Sequence, residues 1–143
     1  MKWTEFTFGG EKYLISSLKE YQTYDGAKRE CKDRGGFLAR DLSPTWFDVA
    51  AKERGFKLLQ NYYVGAKLRG SDMKNDYEWN SGNDLPATHP KWMRGFPTVT
   101  NPRIQKYDCV EIRKARNWGK NVMEMRNDLC GLRQGFVCQL KST

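Results

Sequence analysis

The residues of this chain best suited to chemistry are four cysteines and a single histidine, His89. The cysteines are widely spaced and include no C-x-x-C pair, whereas tetrahedral zinc sites usually draw their ligands from such tight pairs. We therefore expect neither a metal site nor a cofactor. An even number of cysteines favours two disulfides and an oxidising compartment, with free buried thiols in a cytosolic protein as the alternative. Spacing alone leaves three disulfide pairings open. The four cysteines are Cys31, Cys109, Cys130 and Cys138.

Catalytic chemistry is not evident in the remaining residues. His89 stands in a Thr88-His89-Pro90 turn, and no serine or cysteine has another evident base to activate it as a nucleophile. The acidic residues form no paired arrangement that spacing would reveal. We therefore expect a protein that is not an enzyme.

Positive charge is concentrated in one part of the chain. The sequence has 25 Lys and Arg against 17 Asp and Glu, for a net charge of +8. Most of this excess falls between Lys91 and Arg126, which predicts an anion-recognition surface for a sulfated glycan, an acidic protein or a phosphate-bearing polymer. A solubilising surface is the alternative, because alternate strand residues face opposite sides. The predicted ligand-binding residues are Arg94, Arg103, Lys106, Arg113, Lys114, Arg116, Lys120 and Arg126.

Length and composition limit the class of protein. The 143 residues suit a single domain over 1–143, and 13% aromatic content excludes collagen-like, coiled-coil and disordered chains. No apolar run approaches the eighteen or so residues that span a bilayer, so we expect no membrane insertion by this chain. Residues 1–6 lack the features of a signal peptide, which predicts either a chain that is not exported or a processed one.

Two helices are predicted in the first part of the chain. The first runs from Tyr24 towards Gly35, with Thr23 as its cap and Gly35 as its left-handed stop. The second begins at Ser43-Pro44, because Ser caps and Pro suits the first helical position, and it should end at Gly55.

Strands are expected on both sides of a long loop. Alternation or β-branched content predicts strands at 12–15, 62–66, 108–114, 121–126 and 135–140, with a turn at Asn117-Trp118-Gly119. Residues 69–107 are dense in Gly, Pro, Asn and Asp, and so long an irregular stretch is normally functional or disordered. The apolar residues Trp79, Trp92 and Phe96 favour an ordered loop.

The order of these elements and several motifs resemble the C-type lectin-like domain, in its short form with four cysteines. The motifs are Gly35-Gly36-Phe37-Leu38-Ala39, Tyr63-Val64-Gly65-Ala66, Tyr77-Glu78-Trp79-Asn80-Ser81-Gly82, Lys91-Trp92, Asp108-Cys109-Val110-Glu111 and Gly135-Phe136-Val137-Cys138. The resemblance implies an α+β fold in which two helices pack on small antiparallel sheets beside the long loop. It also implies disulfides from Cys31 to Cys138 and from Cys109 to Cys130.

The resemblance also has implications for calcium binding. Sugar-binding members of the family hold Ca²⁺ with a Glu-Pro-Asn or Gln-Pro-Asp tripeptide, a Glu shortly before a cysteine, and a Trp-Asn-Asp. The corresponding positions here are Phe96-Pro97-Thr98, Tyr107 and Met125-Arg126-Asn127, which lack most of the oxygen ligands. Pro97 remains, and we expect a cis peptide that shapes the loop. A calcium position built from Asp72, Asp76 and Asp84, or from Asn127-Asp128, is the alternative.

The resemblance and the charge together predict an extracellular recognition module. It would bind a protein or an anionic glycan without calcium, whereas the alternative is a calcium-dependent carbohydrate-binding lectin with a non-standard site. Nucleic acid is not an expected partner, because paired cysteines argue against an intracellular protein and no RNA or DNA motif is present. The sequence does not decide whether the chain forms a homodimer.

Overall fold

The computed structural model describes residues 2–17, 19–69, 76–98 and 106–141, which form an α+β structure. Two helices and nine strands are present in this part of the chain. In chain order the elements are β1 (Thr4–Phe8), β2 (Glu11–Ile15), α1 (Tyr24–Asp33), β3 (Gly36–Leu38), α2 (Pro44–Ala50), β4 (Asn61–Leu68), β5 (Tyr77–Trp79), β6 (Asp84–Leu85), β7 (Cys109–Asn117), β8 (Lys120–Asp128) and β9 (Gly135–Leu140).

Helix α1 forms as the sequence predicts. The Thr23 side chain accepts a hydrogen bond from the Gly26 amide at 3.2 Å, which satisfies one of the free N–H groups of the first turn. Gly35 follows the helix with φ +86°, the left-handed conformation that glycine adopts without strain. The buried face carries Tyr24, Ala27 and Cys31.

Helix α2 begins as expected but ends early. The Ser43 hydroxyl accepts from the Trp46 amide at 3.2 Å, and Pro44 occupies the first turn. The helix stops at Ala50, so the expectation that Gly55 ends it was wrong. Gly55 instead lies against Thr4 and Ile15, where a Cβ atom would collide with the Thr4 side chain. This glycine therefore permits the turn after α2 to pack closely on β1 and β2, and it does not stop a helix.

A branched sheet holds the strands together around β9. Strand β9 pairs antiparallel with β2 and β3 and parallel with β4. Strand β4 continues the sheet antiparallel to β5 and β7, and β7 forms a long hairpin with β8. Strand β1, which the sequence did not predict, pairs with β2 along its whole length.

The core consists of two clusters. The larger one contains aromatic residues from α2 and the first strands, with Trp46 contacting both Phe6 and Phe47. The smaller cluster lies under α1 and contains both disulfides, Cys31–Cys138 and Cys109–Cys130. The implied disulfide pairing is thereby confirmed.

The described parts of the long loop are ordered by buried side chains. Trp79 and Trp92 are 4% and 8% exposed, and the Trp92 indole donates to the Pro86 carbonyl at 2.9 Å. The Phe96–Pro97 peptide is cis, as expected. Neither α1 nor α2 is long or apolar enough to be a membrane-spanning helix, and no other helix occurs in the described residues.

Candidate functional site

The β7–β8 hairpin is the element that presents most of the predicted basic residues. Its strands are in register from Cys109 opposite Asp128 to Asn117 opposite Lys120. Trp118 and Gly119 close it with φ angles of +53° and +74°, which is the handedness of a two-residue hairpin turn. The Trp118 side chain is fully exposed at the tip.

Three basic residues lie near this tip, and we call Arg113, Arg116 and Lys120 the tip cluster. Arg116 and Lys120 are exposed, and Arg113 is partly exposed. Arg113 and Lys120 share one face of the hairpin because the register places Asn117 opposite Lys120, whereas Arg116 faces the other side. None of the three forms an ion pair with a carboxylate that the structure describes. The charges of these three side chains are therefore not neutralised by an ion pair within the described residues.

A second group lies at the other end of β8, and we call Arg94, Lys106 and Arg126 the loop cluster. Arg94 follows Met93, whose amide donates to the Met125 carbonyl beside Arg126 at 2.9 Å. Lys106 precedes Tyr107, whose carbonyl accepts from the Asn127 amide at 3.2 Å. Both loop residues are exposed. The remaining predicted loop residue, Arg103, lies outside the described residues.

Lys114 does not belong to either cluster, which corrects its place among the predicted ligand-binding residues. Its side chain is 6% exposed, and its ammonium donates to the Glu53 and Phe56 carbonyls at 2.8 and 3.3 Å. Burial lowers the pKa of this ammonium. On β7 it points to the face that packs on the core, so it connects the hairpin to the segment after α2.

Arg126 lies between the loop and a buried carboxyl group. Its guanidinium is 5.1 Å from the centre of the Phe96 ring, and its Nε is 3.8 Å from a carboxylate oxygen of Glu111. Glu111 is fully buried and accepts from the Gln134 amide at 2.8 Å. Burial is the main cause that raises the pKa of Glu111 to about 7, assisted by the nearby Asp128. Part of the positive charge of Arg126 therefore acts on the Glu111 carboxyl group inside the protein.

Asn127 organises the loop end of the hairpin. Its Oδ1 accepts from both the Thr98 amide at 2.8 Å and the Thr98 hydroxyl at 3.1 Å. Its Nδ2 donates to the Tyr77 hydroxyl at 2.8 Å and to the Thr98 and Tyr107 carbonyls at 2.8 and 3.2 Å. The side chain is 3% exposed. An asparagine amide has two acceptor and two donor positions, and all of them are used here.

The described residues do not fit Ca²⁺ at the position that the resemblance to sugar-binding lectins implies. A calcium ion takes six to eight oxygen ligands, whereas Phe96 supplies none and Arg126 adds a positive charge nearby. The carbonyl oxygen of Asn127 is already bound by Thr98. Within the described residues no group of three His, Cys, Asp or Glu side chains could hold a metal ion. Asp72 is outside this part, and Asp76 and Asp84 instead contact Arg69 at 3.3 and 3.4 Å.

His89 has a structural role. Its Nδ1 accepts from the Lys91 amide at 3.1 Å, so the proton must be on Nε2, which lies 3.1 Å from the Leu42 carbonyl. The ring also contacts Phe47 edge-on. Burial lowers the pKa of this imidazole. With both nitrogens engaged, His89 connects the loop to the start of α2.

Two residues of this region, Tyr77 and Glu111, stand in the quoted motifs, but the sequence did not indicate their roles. Tyr77 donates its hydroxyl proton to the Tyr107 carbonyl at 2.6 Å and accepts from Asn127, so it joins the two ends of the long loop. Glu111 lies in a strand where alternation predicts an exposed charge. The signal that could have found it is its pairing with Arg126 across the hairpin, since opposite charges often face each other there.

The chain matches the family model described as the Lectin C-type domain over residues 20–140. It belongs to this C-type lectin domain family, whose members are generally non-enzymatic recognition modules and are typically extracellular.

Solved structures of the same fold cover nearly the whole chain. The C-type lectin domain of murine dendritic cell inhibitory receptor 2, in complex with N-glycan, has a TM-score of 0.74 at 18% identity over 98% of this chain and 96% of that one. The carbohydrate-recognition domain of cow CD23, in the presence of a GlcNAc2Man3 oligosaccharide, has 0.69 at 20% identity over 97% and 94%. Human lithostathine has 0.68 at 18% identity over 96% and 88%.

Proposed function

We propose that this chain is an extracellular recognition module that binds a polyanionic ligand, an acidic protein or a sulfated glycan, without calcium. The ligand would lie along the β7–β8 hairpin and contact both the tip cluster and the loop cluster. No catalytic step is part of this function, because His89 is engaged at both nitrogens and serves the loop.

The observation that carries the proposal is the placement of cations at both ends of one hairpin. Lys120 and Arg126 are six strand residues apart, which corresponds to roughly 20 Å at the usual rise of a strand. A small anion could contact only one cluster, whereas a chain with repeated charges can contact both. Trp118 adds a fully exposed ring beside the tip cluster, on which a sugar or an aromatic side chain can stack.

Calcium independence is supported by the chemistry around Asn127. Both polar atoms of the Asn127 side chain are used in hydrogen bonds to Thr98, Tyr77 or Tyr107. Removing those bonds to admit Ca²⁺ would leave the part-buried Thr98 amide and carbonyl without the Asn127 side chain as a partner, which is costly. The extracellular assignment is supported by the two disulfides, which persist in oxidising compartments.

Retention on immobilised heparin, a sulfated glycan, tests the proposal. The triple variant Arg113→Glu, Arg116→Glu, Lys120→Glu should elute at much lower salt than the unmodified protein. The matched control is Lys2→Glu, Lys19→Glu, Lys52→Glu, which makes the same charge change at exposed lysines outside the hairpin. Because polyanion binding releases counterions, the slope of log affinity against log salt should also be less steep for the tip variant.

The result that would contradict the proposal is equal elution of the two triple variants, because only net charge would then matter. Repeating the measurement with EDTA and with millimolar Ca²⁺ separates the alternative function. Binding that requires calcium would favour a calcium-dependent lectin with a non-standard site. The structures of relatives that contain N-glycan or GlcNAc2Man3 oligosaccharide are the reason to include this comparison.

A further inference from the structure

A second basic site lies on a different part of the molecule, between α1 and β3. A cleft of about 360 Å³ opens there, and four cationic side chains, Lys28, Lys32, Arg40 and Lys141, line it together with Phe37 and Asn80. Its volume falls at the low end of the range of about 300–1,000 Å³ that is usual for small-ligand sites. Among the residues that the structure describes, no acidic one lines the cleft.

The fold brings these cations together from three separate segments. Lys28 and Lys32 are four residues apart on α1 and therefore share one face of the helix. The Lys141 amide donates to the Gly35 carbonyl at 3.3 Å, which holds the residue after β9 against the end of α1. Gly36 makes this approach possible, because a Cβ atom there would collide with the Gln139 carbonyl.

Arg40 is held in a conformation that leaves its donors available. Its backbone amide donates to the Gln139 side chain at 3.2 Å, and its guanidinium stacks on the Phe37 ring at 3.8 Å from the ring centre. A stacked guanidinium uses its face, so its N–H groups at the edge remain free to bind an oxyanion with two hydrogen bonds. None of the four cations forms an ion pair with a carboxylate in the described residues.

A partly used amide completes the cleft. The Asn80 Nδ2 donates to the Tyr24 hydroxyl at 2.9 Å, and its Oδ1 accepts from the same hydroxyl at 3.1 Å. This exchange orients the amide, and no other described residue uses its second N–H or its second acceptor position. Those positions suit a hydroxyl group of a ligand.

We propose that this cleft binds a compact polyanion that carries two or more sulfate or phosphate groups and has about the size of a sulfated disaccharide. Four cations that form no ion pair within the described residues need more than one anionic group to balance them in so small a volume. Phe37 offers an apolar contact, and the Asn80 amide can bind a hydroxyl group of the ligand. This site is separate from the β7–β8 hairpin and does not depend on the hairpin's ligand.

Titration of the ¹⁵N-labelled protein with a trisulfated heparin disaccharide, followed by NMR, tests the proposal. Amides of Gly36, Phe37 and Arg40 should shift and reach saturation. The variant Lys32→Gln, Lys141→Gln should weaken binding about tenfold, since each lysine supplies a charge-assisted contact. The matched control, Lys19→Gln, Lys52→Gln, removes two exposed lysines elsewhere and should change the Kd less than twofold. Inositol hexakisphosphate in place of the disaccharide identifies whether phosphate or sulfate is preferred at the same residues.

Three results would overturn the proposal: equal affinities in the two double variants, shifts confined to the β7–β8 hairpin, or inorganic sulfate as effective as the disaccharide at equal anion concentration. The tip variant Arg113→Glu, Arg116→Glu, Lys120→Glu should bind the disaccharide at the cleft within twofold of the unmodified protein. If the tip variant loses heparin retention but still binds the disaccharide at the cleft, the two sites are distinct. If instead cleft binding is lost while heparin retention is kept, the cleft proposal and the proposed function are likewise tested separately.

Discussion

The two ends of the β7–β8 hairpin use polar residues in opposite ways. At the loop end, Asn127 is buried and all its hydrogen-bonding positions are used by Thr98, Tyr77 and Tyr107. At the tip, Trp118 is fully exposed and Arg116 has no carboxylate partner in the described residues. The same two strands therefore carry a buried hydrogen-bond network around Asn127 at the loop end and an exposed surface at the tip.

This difference shows that burial, and not residue type, separates structural from ligand-facing polar groups in this protein. Lys114 and Arg116 illustrate it within one strand, since both face the same side of the hairpin. The ammonium of Lys114 binds two carbonyls in the interior, whereas Arg116 reaches only Asn121 at 3.4 Å. Substitutions at the two ends should therefore change different measured quantities.

The largest effect on stability is expected for Asn127→Ala. The substitution removes the side-chain partner of the Thr98 amide, hydroxyl and carbonyl, while the bond from the Tyr77 hydroxyl to the Tyr107 carbonyl remains. The free energy of unfolding should fall by about 3 kcal/mol. Urea denaturation measures it. Asn121→Ala on the same strand is the control and should cost less than about 0.5 kcal/mol. Similar losses of unfolding free energy in the two variants would show that the hydrogen-bond network around Asn127 contributes little to stability.

A smaller loss is expected for Lys114→Met, which keeps most of the side-chain volume but removes the ammonium. The Glu53 and Phe56 carbonyls then lose a donor, at a cost of about 1–2 kcal/mol. Arg116→Met should leave the free energy of unfolding unchanged within about 0.5 kcal/mol and reduce heparin retention more. The comparison would fail if the Lys114 variant retained full stability and bound heparin less well than the Arg116 variant.

The pH dependence of stability should change in Glu111→Gln. In the native protein the pKa of Glu111 is raised to about 7, above its ordinary value of 4.5. Between these values the native state holds a proton that the unfolded chain releases, so this group makes stability fall as pH rises from about 5 to 8. Glutamine keeps the hydrogen bond from Gln134 and does not ionise. The variant should therefore gain a few degrees in Tm over the unmodified protein at pH 8, and much less at pH 5.

His89 acts in the opposite direction and serves as an internal check on that experiment. Its pKa is lowered by burial, so stability from this group is present above the ordinary value of about 6.5 and falls as pH decreases below it. The Glu111→Gln variant retains this acid-side loss. If the Tm difference between the two proteins does not grow with pH, Glu111 ionises normally in the native state.

The smallest effect on stability is expected for Trp118→Ala. A side chain that is fully exposed at a turn contributes little packing, so the free energy of unfolding should change by less than about 0.5 kcal/mol. Affinity for a sulfated glycan should nevertheless fall about fivefold if the indole stacks on the ligand. Calorimetry on this variant and on the tip variant measures the affinity. An unchanged affinity for Trp118→Ala would show that the ligand contacts only the cations and not the indole.

The local elements and the family were accessible from the sequence, because they depend on near neighbours and on ordered motifs. Caps such as Thr23 and Ser43, the stop at Gly35 and the turn at Trp118 act within a few residues, and each formed as predicted. The disulfide pairing came from the resemblance, and the structure confirmed it. The end of α2 was missed because Gly55 is determined by its contact with Thr4, which is distant in sequence.

The use of each charged residue was decided by the tertiary structure. Lys114 and Arg116 look alike in sequence, but only the packing of residues 53–56 against β7 buries one of them. Likewise, Lys32 and Lys141 lie far apart in the chain and meet only because α1 and the end of β9 adjoin Gly35 and Gly36. The cost of burying a charge depends on what surrounds it in three dimensions, and a linear pattern of charges does not contain that information.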